Sequence, residues 1–144
     1  MNVIIRSYQD FDLNDLLTAW EHATKLAHPF LTKQFLEQEK LNIPNLYLPN
    51  ADTWVVVDAE KVVGFMALIG NEVGALFVEP DYHGHGLGKA LMDKAKSLHS
   101  KLVLDVFKEN KIGRRFYDRY GFQLLEEKMH EETGNMLLRL VYVA

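Results

Sequence analysis

Three glycines at alternate positions, Gly84, Gly86 and Gly88, stand between an apolar run that ends at Val78 and an amphipathic segment at 87–99. Glycine adopts positive φ angles without strain and lets the backbone come close to a ligand. Several backbone N–H groups can therefore converge on an anion at the positive end of the following helix. The spacing predicts a phosphate-binding turn that needs no side chain.

Two common nucleotide-binding motifs do not fit this turn. The Rossmann fingerprint requires G-x-G-x-x-G near the start of a βαβ unit, whereas these glycines read G-x-G-x-G and follow several strands. The P-loop requires serine or threonine after its lysine, and Lys89 is followed by Ala90. Both motifs are therefore set aside as explanations of the turn.

The composition is that of an ordinary globular protein. A chain of 144 residues can bury roughly two-thirds of its unfolded surface in one core, so we expect a single domain spanning 1–144. The absence of cysteine excludes disulfides and a thiol nucleophile. A net charge of −4 argues against nucleic acid or an anionic membrane as a partner. No signal-like or membrane-spanning apolar run follows Met1, so a cytoplasmic location is expected.

Apolar periodicity predicts strands and helices in the order βααβββαβαββ. The strand at 102–107 follows a helix, which indicates a parallel neighbour, whereas short turns such as Ala59-Glu60 indicate hairpins. The predicted elements are a strand at 3–8, a helix capped by Asp10 or Asp12, a helix from Thr32 to about Lys40, a loop at 41–52, strands at 53–58, 61–69 and 72–78, a helix at 87–99, a strand at 102–107, a helix from Asn110 to Gly121, and strands at 122–128 and 135–143.

Two segments of the chain carry a family pattern. The turn from His83 to Gly88 matches Q/R-x-x-G-x-G/A at both glycines, although histidine replaces the first residue. The segment from Asn110 to Phe122 matches N-x-x-A-x-x-F-Y-x-x-x-G-F, with Gly113 in place of alanine. With this pair and the element order, the whole chain resembles the GNAT superfamily of N-acetyltransferases. The resemblance implies the GNAT fold, an α/β domain with a mixed, mostly antiparallel central sheet flanked by helices.

The resemblance also implies acetyl-coenzyme A (acetyl-CoA) as the donor. Backbone amides of the glycine turn would hold its pyrophosphate, and its pantetheine arm would pair like an extra strand along 76–78, where that strand splays from 102–107. Basic side chains near the phosphates, each equally readable as a solvated helix residue, are His85, Lys89, Arg114 and Arg115. The cofactor-binding residues that the resemblance implies are Leu76, Phe77, Val78, His83, Gly84, His85, Gly86, Leu87, Gly88, Lys89, Asn110 and Tyr117.

Acyl transfer from a thioester to an amine needs a neutral amine, a polarised carbonyl and a proton for the departing thiolate. Tyr117 is the predicted proton donor because of its place in the F-Y pair, although a tyrosine there also reads as a core aromatic. A backbone N–H near Phe77 is predicted to polarise the carbonyl. Asn110 is the family's usual cofactor contact and is equally readable as a helix N-cap.

Several residues compete for the role of general base. Glu72 begins the strand that leads to the donor and is the predicted base, although an acidic residue after a Gly-Asn turn also reads as simply solvated. Other candidates are Asp105 on the neighbouring strand and the histidines His22, His28 and His130. No spacing of His, Asp and Glu is typical of a metal site, so no metal is expected.

The resemblance places the amine acceptor between the first two helices and the loop that joins them. The predicted acceptor residues are His28, Phe30 and Leu31, whereas core packing is favoured for Trp20 and Phe35. The predicted reaction is direct transfer of acetyl from acetyl-CoA to a primary amine of a small molecule or peptide. Two alternatives stay open. One is a sensor or partner-binding module that binds acyl-CoA without turnover, and the other, more weakly supported, is a nucleotide-binding module. The final hairpin offers a strand edge for a homodimer.

Overall fold

A seven-stranded sheet organises the computed structural model of the chain, which describes residues 2–144. Within these residues four longer helices flank the sheet, and the elements follow the predicted order βααβββαβαββ. In spatial order the strands are β1 (Val3–Ser7), β2 (Asp52–Asp58), β3 (Lys61–Ile69), β4 (Glu72–Val78), β5 (Lys101–Phe107), β7 (Asn135–Val143) and β6 (Gln123–His130). The helices are α1 (Leu13–Ala27), α2 (Lys33–Asn42), α3 (Leu87–Leu98) and α4 (Lys111–Tyr120).

The sheet has an apolar core on each face, because successive side chains of a strand point to opposite faces. On one face α3 and α4 pack against side chains such as Met66, Leu102 and Leu104, which are fully buried or nearly so. On the other face α1 contributes Leu16 and Trp20, so Trp20 has the core role favoured for it. No helix within residues 2–144 is long and apolar enough to span a bilayer.

Several turns form where the local signals predicted them. Ala59 and Glu60 join β2 to β3 with positive φ angles of 48° and 74°, which match the twist of a two-residue hairpin. Thr32 caps α2 by accepting a hydrogen bond from the N–H of Phe35 at 3.1 Å. Gly121 ends α4 in the left-handed conformation with a φ of 116°. The ends of these elements are therefore encoded locally.

The prediction of a loop at 41–52 was wrong. α2 continues to Asn42, a π-helical turn follows at Ile43–Tyr47, and a 3₁₀ turn follows at Leu48–Asn50. Pro44 and Pro49 stand at the second positions of these two segments, where the helical pattern changes from α to π and from π to 3₁₀. Proline and asparagine therefore mark changes of helix type here rather than a loop.

The start of α1 also differs from the prediction. Asp12 occupies the N-cap position, but its carboxylate makes no capping bond to the helix. It accepts hydrogen bonds from two guanidinium nitrogens of Arg6 and from the N–H of Gln9, each at 2.8 Å. These bonds lower the pKa of the Asp12 carboxyl. Asp10 lies in a 3₁₀ turn at Asp10–Asp12. The contact of Asp12 with Arg6 on β1 therefore takes the place of the expected helix cap.

β4 and β5 are joined at one end only, and this creates the opening for the site. The predicted parallel pairing is present, but it consists of the single pair Glu72 and Val103. The register between β3 and β4 then shifts, which leaves Gly74 as an extra residue on β4. A bulge of this kind bends a strand. β4 and β5 therefore separate beyond the bulge.

Candidate active site

Two cavities adjoin near the opening between β4 and β5. The turn-side cavity, of about 560 Å³, lies at the glycine turn and α4. The helix-side cavity, of about 360 Å³, lies at α1 and α2. Leu76 and Tyr117 line both cavities. Two binding spaces therefore meet at these two side chains.

The glycine turn presents unused backbone N–H groups to the turn-side cavity. Gly84 and Gly86 have φ angles of +83° and +78°, and a Cβ at either position would meet nothing within 4 Å. Within residues 2–144 the N–H groups of 84–89 donate to no backbone acceptor, and the first helical bond of α3 runs from Ala90 N–H to Gly86 at 3.0 Å. Free N–H groups at the positive end of a helix form a site for an anion.

His83, where the sequence departs from the family pattern, ties the turn to β4. Its Nε2 donates a hydrogen bond to the carbonyl oxygen of Val78 at 3.0 Å, which places a proton on Nε2. The contact uses none of the free amide groups that follow His83. The departure from the pattern therefore leaves the anion site intact.

The basic side chains expected near the phosphates divide into two groups. Lys89 and Arg115 line the turn-side cavity, whereas His85 and Arg114 do not. Arg114 donates instead to a backbone carbonyl at 2.9 Å. Arg119 also lines the cavity. It was not singled out from the sequence, although it follows Arg115 by one turn on the same helix face.

β4 turns unpaired backbone groups toward the opening. The N–H of Glu79 donates to the carbonyl of Val63 on β3 at 2.8 Å. Because backbone groups alternate in direction along a strand, the N–H of Phe77 faces β3, and those of Leu76 and Val78 face the opening. The N–H groups on either side of Phe77 are therefore the ones placed to polarise a carbonyl there.

Tyr117 stands where the two cavities meet. The residue is 9% exposed, and its ring packs edge-to-face against Phe116 and Phe122 with centroids 5.4 and 5.5 Å apart. Burial raises the pKa of the Tyr117 hydroxyl. The hydroxyl therefore keeps its proton near neutral pH. The core-aromatic and proton-donor interpretations of this residue are compatible, because packing fixes the ring while its edge reaches the cavities.

Asn110 and His28 meet in the helix-side cavity. The Asn110 Oδ1 accepts from the N–H of Gly113 at 2.9 Å as the N-cap of α4, which leaves Nδ2 to donate to Nε2 of His28 at 3.2 Å. The neutral His28 ring then carries its proton on Nδ1. Burial lowers the pKa of His28 to about 4, so the ring is uncharged at neutral pH. The Asn110 amide thus links α4 to the end of α1.

This contact explains the glycine at position 113, where the family pattern has alanine. A Cβ on Gly113 would lie 2.6 Å from Nδ2 of Asn110. An alanine would therefore push the amide away from its position beside His28.

Glu72, the predicted base, lies in an ion-pair network across β4, β5 and β7. It accepts two hydrogen bonds from the guanidinium of Arg139, both at 2.9 Å, and Arg139 also donates to Asp105 at 3.1 Å. Lys128 lies 3.1 Å from the other oxygen of Asp105. Asp105 lines the helix-side cavity and Glu72 lines neither cavity. Both carboxylates are therefore already paired with cations.

The three histidine candidates are separated by the fold. His28 and His130 line the helix-side cavity. His22 lines neither cavity, and its Nδ1 lies 2.6 Å from a carboxylate oxygen of the buried Glu79. Within the part of the chain that the structure describes, no three His, Asp or Glu side chains come together to hold a metal ion.

The predicted acceptor residues lie at the end of α1 and just beyond it. His28 and Leu31 line the helix-side cavity, as does Phe35. Phe30 does not line it and packs its ring edge-to-face against His28 and Phe107, with centroids 5.7 and 5.5 Å apart. Phe30 is therefore a supporting residue for the two rings beside it.

Three polar residues of the helix-side cavity, Thr24, Glu39 and Tyr47, were not identified as site residues from the sequence. Glu39 accepts a hydrogen bond from the hydroxyl of Tyr47, and both carboxylate oxygens lie 2.9 Å away. Thr24 is 2% exposed, and its hydroxyl has no partner within residues 2–144. Thr24 follows Trp20 by four residues and Glu39 follows Phe35 by four. This same-face spacing was the available signal.

Comparison with known sequences shows the family. The profile of the family described as Acetyltransferase (GNAT) domain matches residues 49–124. The chain is 32% identical over 145 residues to the peptidyl-lysine N-acetyltransferase YjaB of Salmonella typhimurium, which covers 99% of both chains. It is 31% identical over 131 residues to the peptidyl-lysine N-acetyltransferase YiaC of Escherichia coli, which covers 90% of both chains.

Solved structures show the same fold. The solution structure of apo YjaB from Escherichia coli matches with a TM-score of 0.89 and 29% identity, over 100% of this chain and 99% of that one. A PaiA N-acetyltransferase from Thermoplasma acidophilum, crystallised with coenzyme A, matches with a TM-score of 0.76 and 21% identity, over 96% and 98% of the chains. This second likeness is one of fold.

The chain belongs to the GNAT family of acetyltransferases. It is an N-acetyltransferase that uses acetyl-CoA as its co-substrate. The predictions of the family, of the α/β fold and of the donor are therefore confirmed.

Proposed function

We propose that the protein acetylates a primary amine by direct transfer, with acetyl-CoA in the turn-side cavity and the amine in the helix-side cavity. The observation that carries the proposal is the meeting of the two cavities at Leu76 and Tyr117. A donor and an acceptor that enter from opposite sides reach each other there. No side chain has to hold the acetyl group in between, and the chain has no cysteine to do so.

The residues present fit acetyl-CoA. The free amide groups of 84–89 suit its phosphates, and Arg115 and Arg119 of α4 add positive charge beside them. The unpaired edge of β4 at Leu76 and Val78 suits the amide groups of an extended arm. When bound, acetyl-CoA supplies a thioester whose carbonyl carbon forms the new bond to nitrogen and whose sulfur leaves as a thiol.

The chain's own groups then have distinct roles. The N–H of Leu76 or Val78 polarises the carbonyl, since both face the opening. Tyr117 holds a proton on its hydroxyl and donates it to the departing sulfur. Asn110 caps α4 and thereby holds the helix that carries Tyr117.

Glu72 stays the predicted base. Its two bonds to Arg139 show a carboxylate that is already neutralised, and it lies outside both cavities. We propose that a proton from the amine reaches this network through water at Asp105, which lines the helix-side cavity and bonds the same arginine.

The acceptor class that we propose is peptidyl lysine. The relatives YjaB and YiaC are named peptidyl-lysine N-acetyltransferases and match nearly the whole chain. Lysine carries a primary amine at the end of a flexible four-carbon stem. Such a stem suits the helix-side cavity, whose walls include Leu31, Phe35 and Phe107.

Thiol release from acetyl-CoA, measured with a lysine-containing peptide, tests this function. We expect release that depends on the peptide, and a Tyr117→Phe variant with kcat lowered by about 100-fold and unchanged coenzyme A affinity. Tyr120→Phe is the matched control on the same helix, because the Tyr120 hydroxyl bonds Asp93 at 2.7 Å instead. Coenzyme A binding without release for any amine would favour the sensor, and binding of ATP alone would favour the nucleotide-binding module.

We also propose that the chain is a single domain and acts in the cytoplasm. We further propose that two copies form a homodimer through the final hairpin. β6 is an edge strand of the sheet, and Leu124 and Leu125 on it are exposed. Size-exclusion chromatography of the purified protein distinguishes this homodimer from a monomer.

A further inference from the structure

A row of rings leads through the helix-side cavity toward β6. The centroids of His28 and Phe107 are 5.2 Å apart, and those of Phe107 and His130 are 5.4 Å apart. Phe35 of α2 then packs on His130 at 5.9 Å. His28 is bonded to Asn110 at one end of this row, so the other end lies between α2 and the β6–β7 hairpin.

Glu39 stands at that other end. It follows Phe35 by one helical turn on the same face of α2, and it lines the cavity with Tyr47. The Tyr47 hydroxyl holds the carboxylate in place, with both oxygens at 2.9 Å. His130, the last residue of β6, lines the same cavity as Glu39.

Glu39 forms no ion pair with another residue of the described part of the chain, 2–144. Within the described residues 2–144, the neighbouring charges of α2 are used elsewhere, since Glu37 pairs with Lys33 at 4.0 Å and Lys40 pairs with Glu21 at 3.0 Å. No lysine, arginine or histidine of that part of the chain lies within ion-pair distance of Glu39.

The surroundings of Glu39 are unfavourable for a lone negative charge. Burial has the largest effect on the pKa of the Glu39 carboxyl and raises it, and the charge of Glu132 raises it further. The hydrogen bonds with Tyr47 and Asn42 and the influence of His130 lower this pKa. A half-buried carboxylate beside another carboxylate gains most from a cation placed next to it. The cavity provides the space for such a cation, and its aromatic walls favour a positive charge over a neutral group.

We propose that Glu39 binds a second positive charge of the acceptor, so that the preferred substrates carry a cationic group besides the amine that is acetylated. The inference rests on the proposed function, because it assumes that the amine reacts beside Tyr117. Two ring-to-ring steps separate His28 from His130, so Glu39 lies too far along the row to hold the reacting nitrogen itself. It is a specificity-determining residue rather than a catalytic one.

The test compares acceptors that differ by one positive charge. One pair consists of peptides with arginine or alanine beside the acceptor lysine, and the other consists of a diamine and a monoamine of equal length. We expect kcat/KM to be roughly tenfold higher for the more cationic member in the wild-type protein. Glu39→Gln keeps an acceptor for Tyr47 and should abolish this preference, whereas Glu37→Gln, on the same helix and exposed, should retain it.

A charge reversal sharpens the test. Glu39→Lys should favour a glutamate neighbour over arginine beside the acceptor lysine, and its affinity for coenzyme A, measured by isothermal titration, should equal that of the wild type. A preference confined to the peptides would identify a peptide acceptor, and one confined to the diamine would identify a small polyamine.

Three results would overturn the inference. Equal kcat/KM for both members of each pair in the wild type would overturn it alone, as would a Glu39→Gln variant that keeps the preference. Acetylation of no acceptor in either pair would overturn it together with the proposed function.

Discussion

The two cavities are built from different parts of the chain. The turn-side cavity takes its binding groups from the backbone of consecutive residues at 84–89 and from the edge of β4. The helix-side cavity takes its groups from side chains of distant segments, such as His28 and Asn110, which are 82 positions apart. The turn-side cavity is thus set by local backbone conformation and the helix-side cavity by packing. Donor binding should depend on a few glycines, and acceptor choice should depend on individual side chains.

A substitution in the turn should have the largest effect. Gly86→Glu places a side chain at a φ of +78° and a carboxylate among the free amide groups. We expect acetyl-CoA binding, measured by isothermal titration, to weaken by about 100-fold or more, because like charges repel and the backbone is strained. Gly70→Glu is the control, since Gly70 has a φ of +60°, equally open space and no anion site. Equal losses of acetyl-CoA affinity in the two variants would show that backbone strain alone was responsible.

Protonation of His28 should have the next largest effect, which is a loss of folding stability as the pH falls. Its pKa is about 4 in the folded protein, whereas an unburied histidine has a pKa of about 6.5. The unfolded chain therefore takes up the proton first as pH falls. The stabilisation that the uncharged ring provides is fully present above the pKa of His28 in the unfolded chain. As pH falls toward the pKa in the folded protein, this stabilisation is lost, which lowers the free energy of unfolding by up to about 3 kcal/mol. The groups packed around His28 are Phe30, Phe77, Phe107 and Asn110, which carry no charge.

Urea unfolding at several pH values between 4.5 and 7 measures this loss. His28→Phe should remove that part of the acid destabilisation, because the variant has no proton to gain there. His85→Phe, at an exposed turn position, should keep the wild-type dependence. An identical pH dependence in wild type and His28→Phe would contradict the burial of an uncharged ring.

The smallest effect is expected at Thr24. Its buried hydroxyl lacks a partner within residues 2–144, and an unsatisfied buried polar group costs about 1 kcal/mol or more. Thr24→Val keeps the shape and should raise the free energy of unfolding by about that amount. Thr18→Val should not, because the Thr18 hydroxyl donates to the carbonyl of Asn14 at 3.0 Å. Destabilisation by Thr24→Val would indicate a hydroxyl satisfied by bound water.

Sequence and structure agree most closely where the signals are short in range. The caps at Thr32, Asn110 and Gly121 and the hairpin at Ala59-Glu60 form as predicted, since each needs residues within a few positions. The helical course of 41–50 was missed, because two prolines inside a continuous helical run look the same in sequence as two prolines in a loop.

The sequence by itself determined the family, the order of elements and the glycine turn before α3. Glycine spacing, apolar periodicity and cap residues act over one or two turns of chain, so they are readable without the fold. The tertiary structure decided which partner each polar side chain of the helix-side cavity contacts. Arg139 pairs with Glu72, Asn110 bonds His28, and Glu39 forms no ion pair within residues 2–144. These outcomes depend on which distant segments pack together, and long-range packing leaves no periodic mark in the sequence.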